Sequence, residues 1–155
     1  MTVIRLTTLI KAPIEKCFDL SRSIDLHIES TKATNEKAIA GRTSGLIEQG
    51  EFVTWEATHF FIRQQLTTHI VEMRKPRYFK DVMTKGAFRS MEHEHLFESK
   101  ENHTLMTDIF CYEVPYGLAG KIFDYFILKR YMMNLLLTRN EVIKKAAKQI
   151  EKQQA

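Results

Sequence analysis

Cysteine, proline and glycine are all scarce in this chain: two, three and six among 155 residues. Two thiols, Cys17 and Cys111, cannot build a disulfide framework, and they point to a reducing cytoplasm. With so little Pro and Gly there is no low-complexity linker, and no internal repeat is found. No apolar run is long and clean enough to cross a bilayer. The most apolar window, Leu118–Leu137, contains Lys121, Asp124, Lys129 and Arg130. The opening MTVIRLTTLIKAP carries Arg5 and Lys11 in and around its short apolar stretch, so it does not read as a signal peptide.

Several chemistries lack their motifs as well. There is no RNP, zinc-finger or helix-turn-helix pattern. No Gly-Lys-Ser/Thr accompanies Gly41, Gly45 and Gly50, which therefore mark turns around Leu46–Gln49 rather than a phosphate loop. No Gly-x-Ser-x-Gly nucleophile elbow occurs. The net charge of +4 is local: residues 121–152 hold eight Lys/Arg against three Asp/Glu, and the rest of the chain is about neutral. Lys144, Lys145, Lys148 and Lys152 sit where a helix C-terminus favours cations, so this reads as a solvated helix face and no nucleic-acid partner is expected.

What is present is an ordinary globular composition, 44% hydrophobic and 27% charged, in a length that makes one domain, residues 1–155. Thr2–Lys11 reads as a strand. Pro13 opens a helix running to Ser21, and Ile24–Ser30 forms a second short one. Lys32–Ile39 has weak strand character. From Glu51 alternation dominates for some sixty residues. Val53, Trp55, Ala57, His59 and Phe61 share the face expected to turn inward, as do Leu66, Thr68 and Ile70 on the next strand. The intervening hairpin falls near Phe60–Arg63. Lys75-Pro76 ends that strand. Tyr78–Lys85 and Phe88–Glu98 flank a turn at Gly86, and Thr104–Val114 is the last strand, closed by Pro115-Tyr116-Gly117. A proline-free stretch, Gly117–Lys152, then predicts one helix about 50 Å long. Strands joined by short turns are antiparallel, and segregated strands and helices make the class α+β.

This layout resembles the helix-grip fold of the START/polyketide-cyclase/birch-allergen-like (SRPBCC) superfamily. Trp55-Glu56-Ala57, Arg77-Tyr78-Phe79-Lys80-Asp81, Gly86-Ala87-Phe88-Arg89 and His93-Glu94-His95-Leu96-Phe97-Glu98 are similar to a ligand-binding branch of it, and Thr107-Asp108 and Pro115-Tyr116-Gly117 extend the match. The branch pattern has Gly-Pro-Phe where this chain has Gly86-Ala87-Phe88. The resemblance implies a curved antiparallel sheet of about six or seven strands, two short helices after the first strand, and a long C-terminal helix gripped around a pocket for a hydrophobic ligand. It implies no particular reaction.

Chemistry-bearing residues cluster on the strand Phe88–Glu98. Ser90, Glu92, Glu94 and Glu98 share its outer face, so Met91, His93, His95 and Phe97 point inward, the two imidazoles about 6.7 Å apart along the strand. Such a pair can chelate a metal only with further ligands; Cys111 and His59 are contributors to weigh, but neither stands in a metal spacing, and no metal or other cofactor is expected. With the hairpin pivoting at Gly86, Asp81 faces Met91 and lies diagonal to His93, where a carboxylate would orient an imidazole for structure or for acid–base work. Asp108 cannot be placed, because its strand has two comparably apolar faces, Leu105/Ile109/Cys111 and Met106/Phe110/Tyr112. A helical wheel puts Leu118, Ile122, Tyr125, Met132, Leu136, Ile143, Ala147 and Ile150 toward the sheet, with Lys129 in the same stripe, snorkelling to the pocket edge or meeting Asp81 or an anionic ligand. Phe123, Ile127 and Tyr131 on the back call for a cover, either an upstream loop or a second copy in a homodimer. Met132 and Met133 join Trp55, Phe61, Met91 and Phe97 as walls adaptable to an apolar guest.

Three functions compete on this basis. A noncatalytic pocket for a hydrophobic or amphipathic molecule leads, with Trp55, His59, Phe61, Asp81, Met91, His93, His95, Phe97, Lys129, Met132 and Met133 as its contacts. A cyclase or hydrolase using Asp81, His93 and His95 comes second, recognisable by turnover lost on His93→Ala. A protein-interaction or membrane-surface module with an occluded cavity is third.

Overall fold

Short-turn connections and period-two alternation produce one sheet. In the computed structural model, which describes residues 1–154, the strands are β1 (Thr2–Ile10), β2 (Lys37–Gly41), β3 (Phe52–His59), β4 (Ile62–Arg74), β5 (Tyr78–Lys85), β6 (Ser90–Lys100) and β7 (His103–Glu113). They form an antiparallel sheet in the order β1-β7-β6-β5-β4-β3-β2, so the first strand closes against the last. Register shifts between Thr67 and Thr68 and between Ile70 and Glu72 bend β4 against β5, and bulges of this kind give a sheet its curl.

Helices α1 (Ile14–Ser21) and α2 (Ile24–Ser30) come after β1 with the expected bounds. Ser23 caps α2 by accepting from the Leu26 amide at 3.2 Å. The weak strand over Lys32–Ile39 is corrected: Lys32–Thr34 is a 3-10 turn ending at Asn35 with φ 51°, and only then does β2 begin. The β5–β6 hairpin also pivots one residue later than Gly86, so Asp81 pairs directly with His93 instead of Met91.

The C-terminal rod is continuous but not uniform. It comprises α3 (Gly117–Phe123), a π turn (Asp124–Leu128) and α4 (Lys129–Gln154). A π turn adds a residue to one turn and so rotates the two flanking helical segments relative to each other. Hence Leu136, Ile143 and Ala147 are buried as expected, whereas Leu118, Ile122 and Tyr125 are exposed, and Gly120 and Asp124 take the buried face in their place. Lys129 is exposed too, and the expectation that it reaches the pocket is overturned, because the helix is exposed nearly all round over 125–130, with only Leu128 half-buried. Gly120 has no alternative: a Cβ there would lie 1.9 Å from the Pro115 carbonyl oxygen. Asp124 anchors the π turn by accepting from Tyr112 Oη at 2.5 Å and from Thr2 Oγ1.

Phe61 is the clearest reversal in the strands. Strand β3 stops at His59, and Phe60-Phe61 form a two-residue turn with φ of 51° and 65°. That leaves Phe61 fully exposed instead of facing inward.

The core is divided. One cluster joins Phe18, Ile24, Val53, Trp55, Phe79, Phe97, Met106 and Ile143; the other joins Ile4, Met91, Phe110, Tyr112 and Leu136. Between them the sheet and the helix do not close.

Candidate functional site

The gap is a cavity of about 740 Å³ between the concave face of the sheet and the C-terminal helix. Its walls draw on both core clusters, including Trp55, Val53, Ile70, Met91, Phe110 and Leu136. Ligand pockets commonly span about 300–1,000 Å³ with apolar walls and a few polar groups. Of the expected contacts, Trp55, His59, Asp81, Met91, His93, His95 and Met132 line the cavity. Phe97 is buried but belongs to the solid core, edge-on to Phe18 at 5.4 Å. Phe61, Lys129 and Met133 are not among the lining residues; Met133 packs at the margin of the second cluster.

The polar wall is built by strand register. On β6, His93 and His95 stand opposite Asp81 and Phe79 of β5 and opposite Phe110 and Asp108 of β7. The pairing also resolves Asp108: it shares the inward face with Met106, Phe110 and Tyr112 and has no exposure. His93 Nε2 donates to Asp108 Oδ1 at 2.9 Å. Arg139 Nη1 approaches the same oxygen at 3.3 Å, and Asn140 Nδ2 donates to Oδ2 at 2.7 Å. Arg139 Nη2 also donates to the Ser21 carbonyl at 3.0 Å, tying α1 to α4. His95 Nε2 bonds Asp81 Oδ2 at 3.1 Å. Its Nδ1 lies 3.1 Å from Asp108 Oδ1, but without a hydrogen bond's direction, and finds no hydrogen-bond partner among the described residues.

Burial and charge set the ionisation of this wall. Desolvation, helped by the neighbouring His95, drives the His93 pKa down to about 4, so at neutral pH this imidazole is uncharged and its Nε2–H is the donor to Asp108. Burial would raise both carboxyls. For Asp81 the hydrogen bond from His95 and the fields of His93, His95 and Arg139 outweigh it and hold the group below its usual range. For Asp108 the two histidines and Arg139 hold it well below. At the other end His27 Nε2 meets Glu36 Oε1 at 2.5 Å, with the His27 ring 4.2 Å from that of Trp55. Near the helix, His59 Nδ1 bonds Tyr131 Oη at 2.8 Å, and burial lowers its pKa.

Arg139, Asn140, His27 and Glu36 carry no alternation or motif that would select them. The first two stand three and four residues after Leu136, on the stripe it shares with Ile143, and that spacing would have found them.

Asp81, His93 and His95 present ligand atoms within 4.8 Å of one another. Two imidazoles and a carboxylate form a donor set suited to zinc or iron. Here, however, the His95 ring stacks on Phe79 at 4.0 Å and lies tilted by 39° against His93 at 3.8 Å, and both histidines are engaged with carboxylates. With the Nε2 of each imidazole already committed to a carboxylate, the geometry favours a hydrogen-bonded wall over a chelate. Cys111 projects from the opposite face of β7, and His59 is held by Tyr131.

The mouth is formed by the β3–β4 turn and the start of the helix. Phe60 packs on Phe123 at 5.5 Å and on Tyr131 at 4.5 Å, and so supplies the upstream cover expected for two of the three apolar residues on the helix back; Ile127 stays exposed. No described helix is long and apolar enough to cross a membrane.

No family model and no curated protein matches the sequence. Solved structures match in fold. A Thermus thermophilus protein aligns at TM-score 0.73 and 16% identity over 94% of this chain and 99% of that one. A START superfamily protein from Mycobacterium smegmatis aligns at TM-score 0.71 and 12% identity over 96% and 98%. The ginseng major latex-like protein 151 of Panax ginseng aligns at TM-score 0.68 and 16% identity over 94% and 97%.

Proposed function

Since the chain has the helix-grip fold of the START/birch-allergen-like superfamily, we propose that it acts as a single ligand-binding domain holding a hydrophobic or amphipathic small molecule between sheet and helix. The observation that carries this reading is the cavity itself: about 740 Å³, mostly apolar, with one polar wall. An apolar guest gains about 25 cal/mol for each Å² removed from water, while the wall fixes its orientation. The polar end of the guest meets the wall formed by Asp81, His93 and His95, which line the cavity. An amphipathic molecule with one hydrogen-bonding end fits better than a pure hydrocarbon. The buried thiols of Cys17 and Cys111 suit work in a reducing cytoplasm.

The experiment uses the only tryptophan. Trp55 lines the cavity and is buried, so a guest changes its emission. Titration with a lipophilic dye is expected to saturate at one dye per chain with energy transfer from Trp55, and native mass spectrometry to show a mass adduct that exchanges with the dye.

A further inference from the structure

Among the described residues four charged side chains line the cavity, Arg22, Glu36, Asp81 and Arg139, and their charges are not equally spent. Arg22 donates to Asp19 at 2.8 Å and to Glu48 at 2.6 Å, neither of which is a lining residue. Arg139 meets Asp108, which also stands outside the lining, and donates to the Asn140 side-chain oxygen and the Ser21 carbonyl as well. Both guanidiniums are therefore compensated by carboxylates that do not face the cavity.

The two lining carboxylates are left differently. Among the described residues the Asp81 side chain is bonded only by His95, through Oδ2, and the Glu36 side chain only by His27, through Oε1. The second oxygen of each carries no hydrogen bond, and the side chains keep 15% and 11% of their surface accessible. No described lysine or arginine forms an ion pair with either; the field of Arg139 reaches Asp81 without a contact. His93 adds no cation at neutral pH, since burial takes its pKa down to about 4.

An apolar cavity whose unspent charge is negative sorts amphiphiles by the sign of the head. A carboxylate head beside Asp81 would set two like charges together in a desolvated space. An alcohol gives one hydrogen bond and leaves the buried charge uncompensated. A primary ammonium brings three donors and the missing charge together. Asp81 is the better seat of the two, because it stands on the central strand β5 opposite Ile70 and His93, whereas Glu36 precedes the edge strand β2.

We propose that the guest carries a primary ammonium head that donates to the open oxygen of Asp81, with Glu36 adding to the same field from the other end of the cavity, and that fatty carboxylates are excluded. This rests on the binding function proposed above and gives the guest its class, an alkyl or arylalkyl amine.

The test is displacement of Nile red, an uncharged lipophilic dye, from the full chain by decylamine, decanol and decanoate, which differ only in the head. At neutral pH the first is a cation and the last an anion. Decylamine is expected to displace the dye at a concentration more than about tenfold below that of decanol, with decanoate the weakest of the three. Asp81→Asn is expected to erase the advantage of amine over alcohol, read as a ratio within the variant, and Glu36→Gln to reduce it by a smaller factor. Should Asp81→Asn take up no dye, the Glu36→Gln ratio and the order of the three heads on the unaltered chain decide. Dye bound but displaced by decanoate as readily as by decylamine overturns the amine class and leaves the binding function standing. An amine advantage undiminished in both variants overturns it as well. A chain that takes up no dye at all overturns the binding function, and the amine class with it.

Discussion

Asp108 receives His93, Arg139 and Asn140 in a position closed to solvent, so the carboxylate and the guanidinium each depend on the other. Removing one partner of such a buried pair leaves an uncompensated charge. Asp108→Ala is expected to cost about 3–5 kcal/mol, read as a lower midpoint in urea. His93 gives the wall a pH dependence of known sign. Its folded pKa of about 4 lies below the ordinary value of 6.5, so between these limits the unfolded chain binds a proton that the native one refuses. Stability is complete above about pH 6.5 and falls toward pH 4 by on the order of 3 kcal/mol. His93→Gln is expected to flatten that window, as checked by denaturant titrations across it. The depressed carboxyls of Asp81 and Asp108 act lower down, stabilising above their ordinary range and failing only as pH drops through their folded values. The inward pair His93 and His95 is legible in sequence because Glu92, Glu94 and Glu98 fix the outer face of β6. Asp108 is not, since both faces of β7 are apolar and only its pairing with β1 and β6 decides which turns inward.

At the scale of elements, strands are more legible than the rod. Alternation fixes β3, β5 and β6 within a residue or two, and Pro13 with the Ser23 cap fixes α1 and α2. The helix is visible as a length, but its faces are not, because a uniform 100° step cannot foresee the π turn at Asp124–Leu128. That one irregularity turns Leu118 and Ile122 to solvent although Leu136 and Ile143, on the same stripe of a uniform wheel, are buried. The Phe60-Phe61 turn escapes for a similar reason: alternation assigns Phe61 to the inner face, and nothing in two bulky residues signals positive φ. Strain there carries its own prediction. Phe61 touches little, and glycine accepts its backbone at no steric cost. Phe61→Gly is therefore expected to raise stability by about 1 kcal/mol, visible as a higher melting temperature. A loss of stability would mean that Phe61 packs against a neighbour in solution.

For the whole molecule, the seven-stranded antiparallel sheet and the long gripped helix arise from connection length and periodicity, and structures of low sequence identity share them. The divided core is not legible in this way. A list of inward residues names a core without saying whether it closes, and Phe97 on the solid side and Trp55 on the open side look alike in sequence. The central claim is that this opening holds a guest, and titration of the purified chain with a lipophilic dye, monitored through Trp55, tests it most directly. Saturation at one dye per chain, with energy transfer from Trp55 and competition by an apolar guest, is the predicted result. A signal that rises without saturating, together with a native mass spectrum of bare chain alone, would contradict it.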